Sequence, residues 1–172
     1  ENPISVVAAG VSSNELRVSG SNVSLRGSGG KYTADVTSFN GVAKITVSGG
    51  GLSASTFEFR IKPIPDPVAQ LSNSTGGDIG NGEFKAQRGV IAVLNNFDFD
   101  ARCEIAGFEL VYAPRRQDPI PVINPGSTFN GQARDLIGQA KPGDSYYFNN
   151  VRARCPGDPA ARKINSMVFT IK

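Results

Sequence analysis

Between Lys31 and Lys62 three segments carry apolar side chains at every second residue. Tyr32, Ala34 and Val36 share one face of "KYTADV", with Lys31, Thr33 and Asp35 on the other. Ala43, Ile45 and Val47 repeat the pattern in "AKITV", and Phe57, Phe59 and Ile61 repeat it in "TFEFRIK". This is the period of a half-buried β-strand. Three more short segments, 4–10, 15–20 and 22–27, read as strands, and Gly/Ser/Asn clusters such as Gly49-Gly50-Gly51 separate the set. Short strands spaced this closely predict a small immunoglobulin-like β-sandwich.

The alternation stops at "IKPIPDPVAQL". Pro63, Pro65 and Pro67 each fix their own φ, remove an N–H and push the preceding residue toward extended geometry. Such a stretch is neither helix interior nor central strand, so it predicts a stiff joint at 63–67 between two domains, 1–64 and 65–172. Beyond it, "SNSTGGDIGNG" is rich in turns, and "GVIAVL" (89–94) is continuously apolar and reads as a core strand. In "NNFDFDARCEI" (95–105), Phe97, Phe99, Ala101, Cys103 and Ile105 share one parity, and Asp98, Asp100, Arg102 and Glu104 the other. Phe108, Leu110 and Tyr112 then carry the apolar set on even positions, so a β-bulge is expected at Ala106-Gly107. One helix is predicted near 132–140, with Ala133, Leu136, Ile137 and Ala140 on one face and Pro142-Gly143 ending it. "SYYFNNVRARC" and "KINSMVFTIK" complete the chain as a hairpin. The fold class is therefore mainly β: two tandem immunoglobulin-like sandwiches, the second larger and with one short helix.

Composition narrows the chemistry. The 172 residues include no histidine and no tryptophan, and the formal charge is +3. Without His the usual general base, the usual zinc ligand and every Ser-His or Cys-His nucleophile are missing, which argues against an enzyme and against a metal or cofactor site. Charge is near balance in both halves, so no nucleic-acid partner is expected. No apolar run approaches the ~18 residues that span a bilayer. The chain begins at Glu1-Asn2-Pro3 and reads as a mature or excised soluble segment.

Several local patterns invite a function and fail on detail. "RGSGGKYT" has the glycines of a phosphate loop, but Tyr32 stands where Ser or Thr is needed and a strand follows instead of a helix, so it reads as a hairpin turn. Asp98 and Asp100 stand about 7 Å apart on one strand face. That suits a glycosidase pair in distance, but such pairs come from separate elements around a cleft, and Arg102 follows on the same face. A charged face or contact surface is the better reading, and calcium lacks its glycine and spaced acids. Asn22-Val-Ser24 and Asn73-Ser-Thr75 fit the glycosylation triplet, which a Ser-rich chain produces by chance. Arg115 and Arg116 lie in a proline-flanked loop. Cys103 and Cys155 are both on inward parities. They either face each other as a disulfide or remain two buried thiols.

"ENPISVVAAG", "FEFRIKPIPDPVAQL", "GEFKAQRGVIAVLNNFDFDARCEIAGFEL" and "KPGDSYYFNNVRARCP" together resemble the C-terminal half of the GldM/PorM family, and the resemblance runs over nearly the whole chain. It implies the last two domains of a periplasmic shaft used in type IX secretion and gliding motility in Bacteroidetes. In that family an N-terminal membrane helix, absent here, pairs with a GldL/PorL-type protein as a proton-driven motor. The shaft is a homodimer and meets a ring of GldK and GldN (PorK and PorN) type beneath the outer membrane. The oxidising periplasm this implies favours a Cys103–Cys155 disulfide. The charged strand face of Asp98, Asp100, Arg102 and Glu104, with Arg115 and Arg116 of the proline-flanked loop, is the candidate partner-binding surface. The other reading from the residues is an extracellular adhesion or carbohydrate-binding tandem; most Phe fall on inward parities, and Trp is absent, which weighs against it.

Overall fold

The structure, a computed structural model, describes residues 2–38, 40–97 and 101–172. It divides into two compact units, 1–63 and 64–172.

Among its described residues the first unit holds six strands: β1 (Asn2–Ser5), β2 (Leu16–Ser21), β3 (Val23–Ser28), β4 (Lys31–Val36), β5 (Gly41–Gly49) and β6 (Leu52–Ile61). They form two antiparallel three-stranded sheets, β1-β4-β3 and β2-β5-β6. Val23, Ala34, Ala43, Ile45 and Ile61 are buried between them, with Ile4, Val18 and Leu25 packed against these. The core is thin, and two of its five buried members are alanine. β1 is shorter than the alternation suggests. The Val6 amide bonds the Gly30 carbonyl at 2.8 Å, the chain then turns through Gly10 at φ 74°, and Val7 is left exposed.

Phe57 and Phe59 depart from the inward burial their parity predicts. They are 52% and 49% exposed. β6 is the last strand of its sheet, and β1, whose Ile4 shares a groove with both rings, is only four residues long, so the inner face of β6 stays open at Phe57 and Phe59 while Ile61 is covered. An open groove of about 310 Å³ remains there, lined by Ile4, Val6, Leu16, Ile45, Phe57 and Phe59 among others.

In the second unit β7 (Val68–Gln70) pairs antiparallel with β9 (Ile91–Val93). The main sheet has the order β11-β10-β12-β14-β8, from β8 (Gly77–Ile79), β10 (Glu104–Ala113), β11 (Ile120–Pro125), β12 (Ser145–Arg154) and β14 (Met167–Ile171). The short β13 (Arg162–Lys163) adds to β12. Among the described residues there are two helices, α1 (Asn81–Ala86) and α2 (Gly131–Gly138). The side chain of Asn130 caps α2 by accepting the Ala133 amide at 2.8 Å, satisfying one of the free N–H groups of the first turn.

One face of the main sheet carries the core. Phe108, Leu110, Tyr146, Phe148 and Phe169 are buried there against Phe84 of α1 and Leu136 and Ile137 of α2. Tyr112 and Tyr146 stack at 4.7 Å, and Phe148 meets Phe169 edge-on at 5.9 Å. Such ring pairs add to simple area burial. The apolar run 89–94 does not become a core strand: Val90 is buried, but Ile91 is 48% exposed on the two-stranded ribbon. Among the described residues of 95–105, strand begins at Glu104.

The parity switch on β10 is a register shift at Ala106-Gly107, and β12 shifts in turn near Asn150, which has φ 50°. One extra residue on each strand moves both buried sets by one position at the same level. Ile105 and Cys103 on one strand and Val151, Ala153 and Cys155 on the other therefore stay inward. Gly107 has φ 156°, and a Cβ there would stand 3.0 Å from the Asn124 carbonyl oxygen, so the bulge needs glycine.

Candidate functional site

The lower end of β10 carries a cross-link. Cys103 and Cys155 are joined by a disulfide that closes the chain over a separation of 52 residues, beside the register pair Glu104–Arg154. Arg102 and Glu104 are exposed around it, and with Arg154 and Asp158 they line a shallow surface depression. Asp158 accepts the Cys155 amide at 2.9 Å and pairs with Arg162 Nε at 3.1 Å. Arg162 in turn grips the start of the unit: Nη1 meets Asp66 at 2.8 Å, and Nη2 donates to the carbonyl of Ile64 at 3.2 Å. Asp98 and Asp100 lie outside the described residues. Arg102 precedes the strand, so it is not part of a strand face.

At the other end of β10 the chain enters the loop that carries Arg115 and Arg116, both exposed. Its base is fixed by a buried carboxylate. Asp144 Oδ2 accepts the Tyr112 hydroxyl at 2.9 Å and the Lys141 amide at 3.0 Å, and Oδ1 accepts the Arg115 amide at 3.0 Å. The Asp144 carbonyl also accepts the Ile171 amide at 2.9 Å. One residue thus ties the ends of β10 and β14 to the turn after α2. Burial raises the pKa of the Tyr112 phenol, and its bond to the Asp144 carboxylate raises it further. The Tyr146 hydroxyl, buried and donating to the Leu136 carbonyl at 2.7 Å, is also raised by burial.

Of the six candidate surface residues, the structure brings Arg102 and Glu104 together near the disulfide. It sets Arg115 and Arg116 at the far end of the same ten-residue strand, about 30 Å away at the usual strand rise. They are two patches and not one. Near the Arg115–Arg116 end of β10 lies a feature that charge alone does not reveal. The sheet face opposite the core carries Pro121, Val111, Tyr147 and Val168 in register across four adjacent strands. Tyr147 and Val168 are 37% and 43% exposed. The signal for it is apolar residues on the outward parity of β10, β12 and β14. Among the described residues no group of three or more His, Cys, Asp or Glu is placed to hold a metal ion, and no helix is long and apolar enough to cross a membrane.

The family described as the GldM third domain matches residues 1–62, and the family described as the GldM C-terminal domain matches residues 65–172. No curated protein matches the chain.

Proposed function

The chain belongs to the GldM family of gliding-motility and type IX secretion components, as its third and C-terminal domains, and from that premise we propose that it is a non-catalytic part of the periplasmic shaft. In this reading it passes movement or position from an inner-membrane motor of GldL/PorL type to a ring of GldK and GldN (PorK and PorN) type at the outer membrane. Two chains run side by side. The observation that carries the reading is the unbroken succession of the two matched domains on either side of the proline joint.

The ring contact is assigned to the second domain. Arg115 and Arg116 project from a loop whose base Asp144 fixes, and loops on a rigid sheet are where binding usually resides. The apolar row of Val111, Tyr147 and Val168 leads from that loop across the open face. Charges at the two ends of β10, Arg115 and Arg116 at one and Arg102 and Glu104 at the other, with Asp98 and Asp100 close in sequence, favour encounter rate and orientation over raw affinity.

Retention of a GldK–GldN-type ring assembly on the immobilised chain tests this. Arg115→Glu with Arg116→Glu should weaken retention, and Tyr147→Ser should weaken it further. Retention unchanged by all three substitutions would remove the second domain's role.

Phe57 and Phe59 give the carbohydrate-binding reading its one supporting observation, because exposed rings on a β face are what sugars stack upon. The groove below them offers serine hydroxyls but no carboxylate, amide or guanidinium among its lining residues. Sugar hydroxyls would lose water there and gain few partners in return. Glycan-array binding abolished by Phe57→Ala would establish that reading in place of the shaft.

A further inference from the structure

β6 is a ten-residue edge strand on which nine residues are exposed, Ile61 being the exception. A long edge of this kind, with unpaired N–H and C=O groups and two half-exposed phenylalanines, is a template for another strand. Soluble proteins blunt such edges with bulges, prolines or inward-pointing charges. In β6 one bulge stands at 52–55, where Ser55 to Leu52 matches Val47 to Gly49 of β5; from Ser55 to Ile61 the edge is regular, and no proline or inward-pointing charge interrupts it before Pro63.

We propose that the occupant of this edge is β6 of a second copy of the chain, paired antiparallel about a two-fold axis through Phe59. The strand's own charge pattern selects the partner. For two copies to extend one sheet with a common inner face, residues of like parity must stand opposite each other. Three central registers satisfy this. With Glu58 opposite its own copy, like charges meet on the axis. With Phe57 on the axis, Arg60 faces Ala54 and Phe59 faces Ser55, and no charge is matched. With Phe59 on the axis, Glu58 faces Arg60 of the second copy twice over, and Phe57 faces Ile61 twice over.

Within one copy, Glu58 already pairs with Lys44 across β5 at 2.7 Å. The third register therefore continues an alternating row of Lys44, Glu58 and the second copy's Arg60 on the outer face. On the inner face it gathers the phenylalanines beside the apolar groove. Cross-strand pairs of this kind are the unit of sheet stability, and an isologous contact uses each pair twice.

The pairing gives the two-chain shaft a contact in its first domain and rests on that reading only for its setting. The test uses the whole 172-residue chain and sedimentation equilibrium. Arg60→Glu and Glu58→Arg should each raise the dimer dissociation constant about tenfold, because two attractive pairs become two repulsive ones. The combined swap should return it to within about threefold of the parent. Glu58→Arg also faces Lys44, so Arg60→Glu is the cleaner single change.

The chain's two cysteines are joined to each other, so an introduced thiol has no competitor. Oxidised Phe59→Cys should give a covalent dimer, and Phe57→Cys should not. A chain that remains monomeric at its highest soluble concentration overturns the proposal. So does a dimer indifferent to the charge swaps, or one cross-linked through Phe57→Cys. Such a failure with ring retention intact leaves the shaft reading standing. Loss of ring retention with the Phe59→Cys cross-link intact leaves the edge pairing standing.

Discussion

Replacing Asp144 should unseat the loop at the end of β10 and destabilise the second domain more than any other single polar change. The carboxylate accepts three hydrogen bonds at 2.9–3.0 Å, one from a buried phenol and two from backbone amides. The residue is 4% exposed, so water cannot readily replace it. Asp144→Ala strands all three donors. At about 1–3 kcal/mol for each buried group left without a partner, with some relief from relaxation, the loss should be about 3–4 kcal/mol. Asp144→Asn keeps the shape but turns an N–H₂ toward at least one donor, for a loss of about 1–2 kcal/mol. Tyr112→Phe removes one bond and leaves the others, and should cost about 1 kcal/mol. In the Asp144→Ala background Tyr112→Phe should then be nearly neutral, since its acceptor is already gone. Urea unfolding followed by the tyrosine signal is a suitable assay, because Trp is absent and three of the four tyrosines, Tyr112, Tyr146 and Tyr147, lie in the second unit. If Asp144→Ala costs less than about 1 kcal/mol, or if the two substitutions add without coupling, the carboxylate is not the anchor described here.

Three further outcomes are expected. Cys103→Ser with Cys155→Ser opens a loop whose ends are 52 residues apart; it should lower the second domain's unfolding free energy by about 2–4 kcal/mol, and unchanged urea midpoints would refute this. The folded pKa of Tyr112 and of Tyr146 lies above the ordinary value of 10.0, chiefly through burial. Stability is therefore fully present below pH 10 and is lost above it, as the unfolded chain ionises and the folded one resists, by up to about 2.7 kcal/mol per pH unit for two groups; a flat profile between pH 10 and 11 would contradict it. Arg162→Ala removes the hold on Ile64 and Asp66, so amide exchange at Ile64, Asp66 and Val68 should quicken while that of β12 stays unchanged.

How far the sequence reveals this protein depends on how local each cause is. Where burial follows two-residue alternation inside a sheet, the strands are legible: Ala43 and Ile45 are buried in β5 as their parity requires. The helix at Gly131–Gly138 is legible because Ala133, Leu136 and Ile137 fall on one face. α1 is not, since Phe84 is its one buried residue and a glycine stands second in its six. Alternation states which residues share a face and is silent on whether anything covers that face. Phe57 and Phe59 have the parity of core residues and lie open because β6 is an edge, a property of strand order and not of the strand. Val111, Tyr147 and Val168 show the same limit from the opposite side.

The polar anchors are the least legible, because each depends on residues distant in sequence. Asp144 meets Tyr112 across 32 positions, and Arg162 meets Asp66 across 96. Both sit in unremarkable "PGD" and "AARK" contexts. The proline joint shows what this changes. Three prolines stiffen residues 63–67 by restricting the free chain, an effect written in the residues themselves. Arg162 acts differently, by fastening Ile64 and Asp66 onto the second unit. The part of the joint free to bend is then shorter than the proline run suggests. Substituting the prolines alone should leave the fastened half in place, and only their combination with Arg162→Ala should free the whole segment.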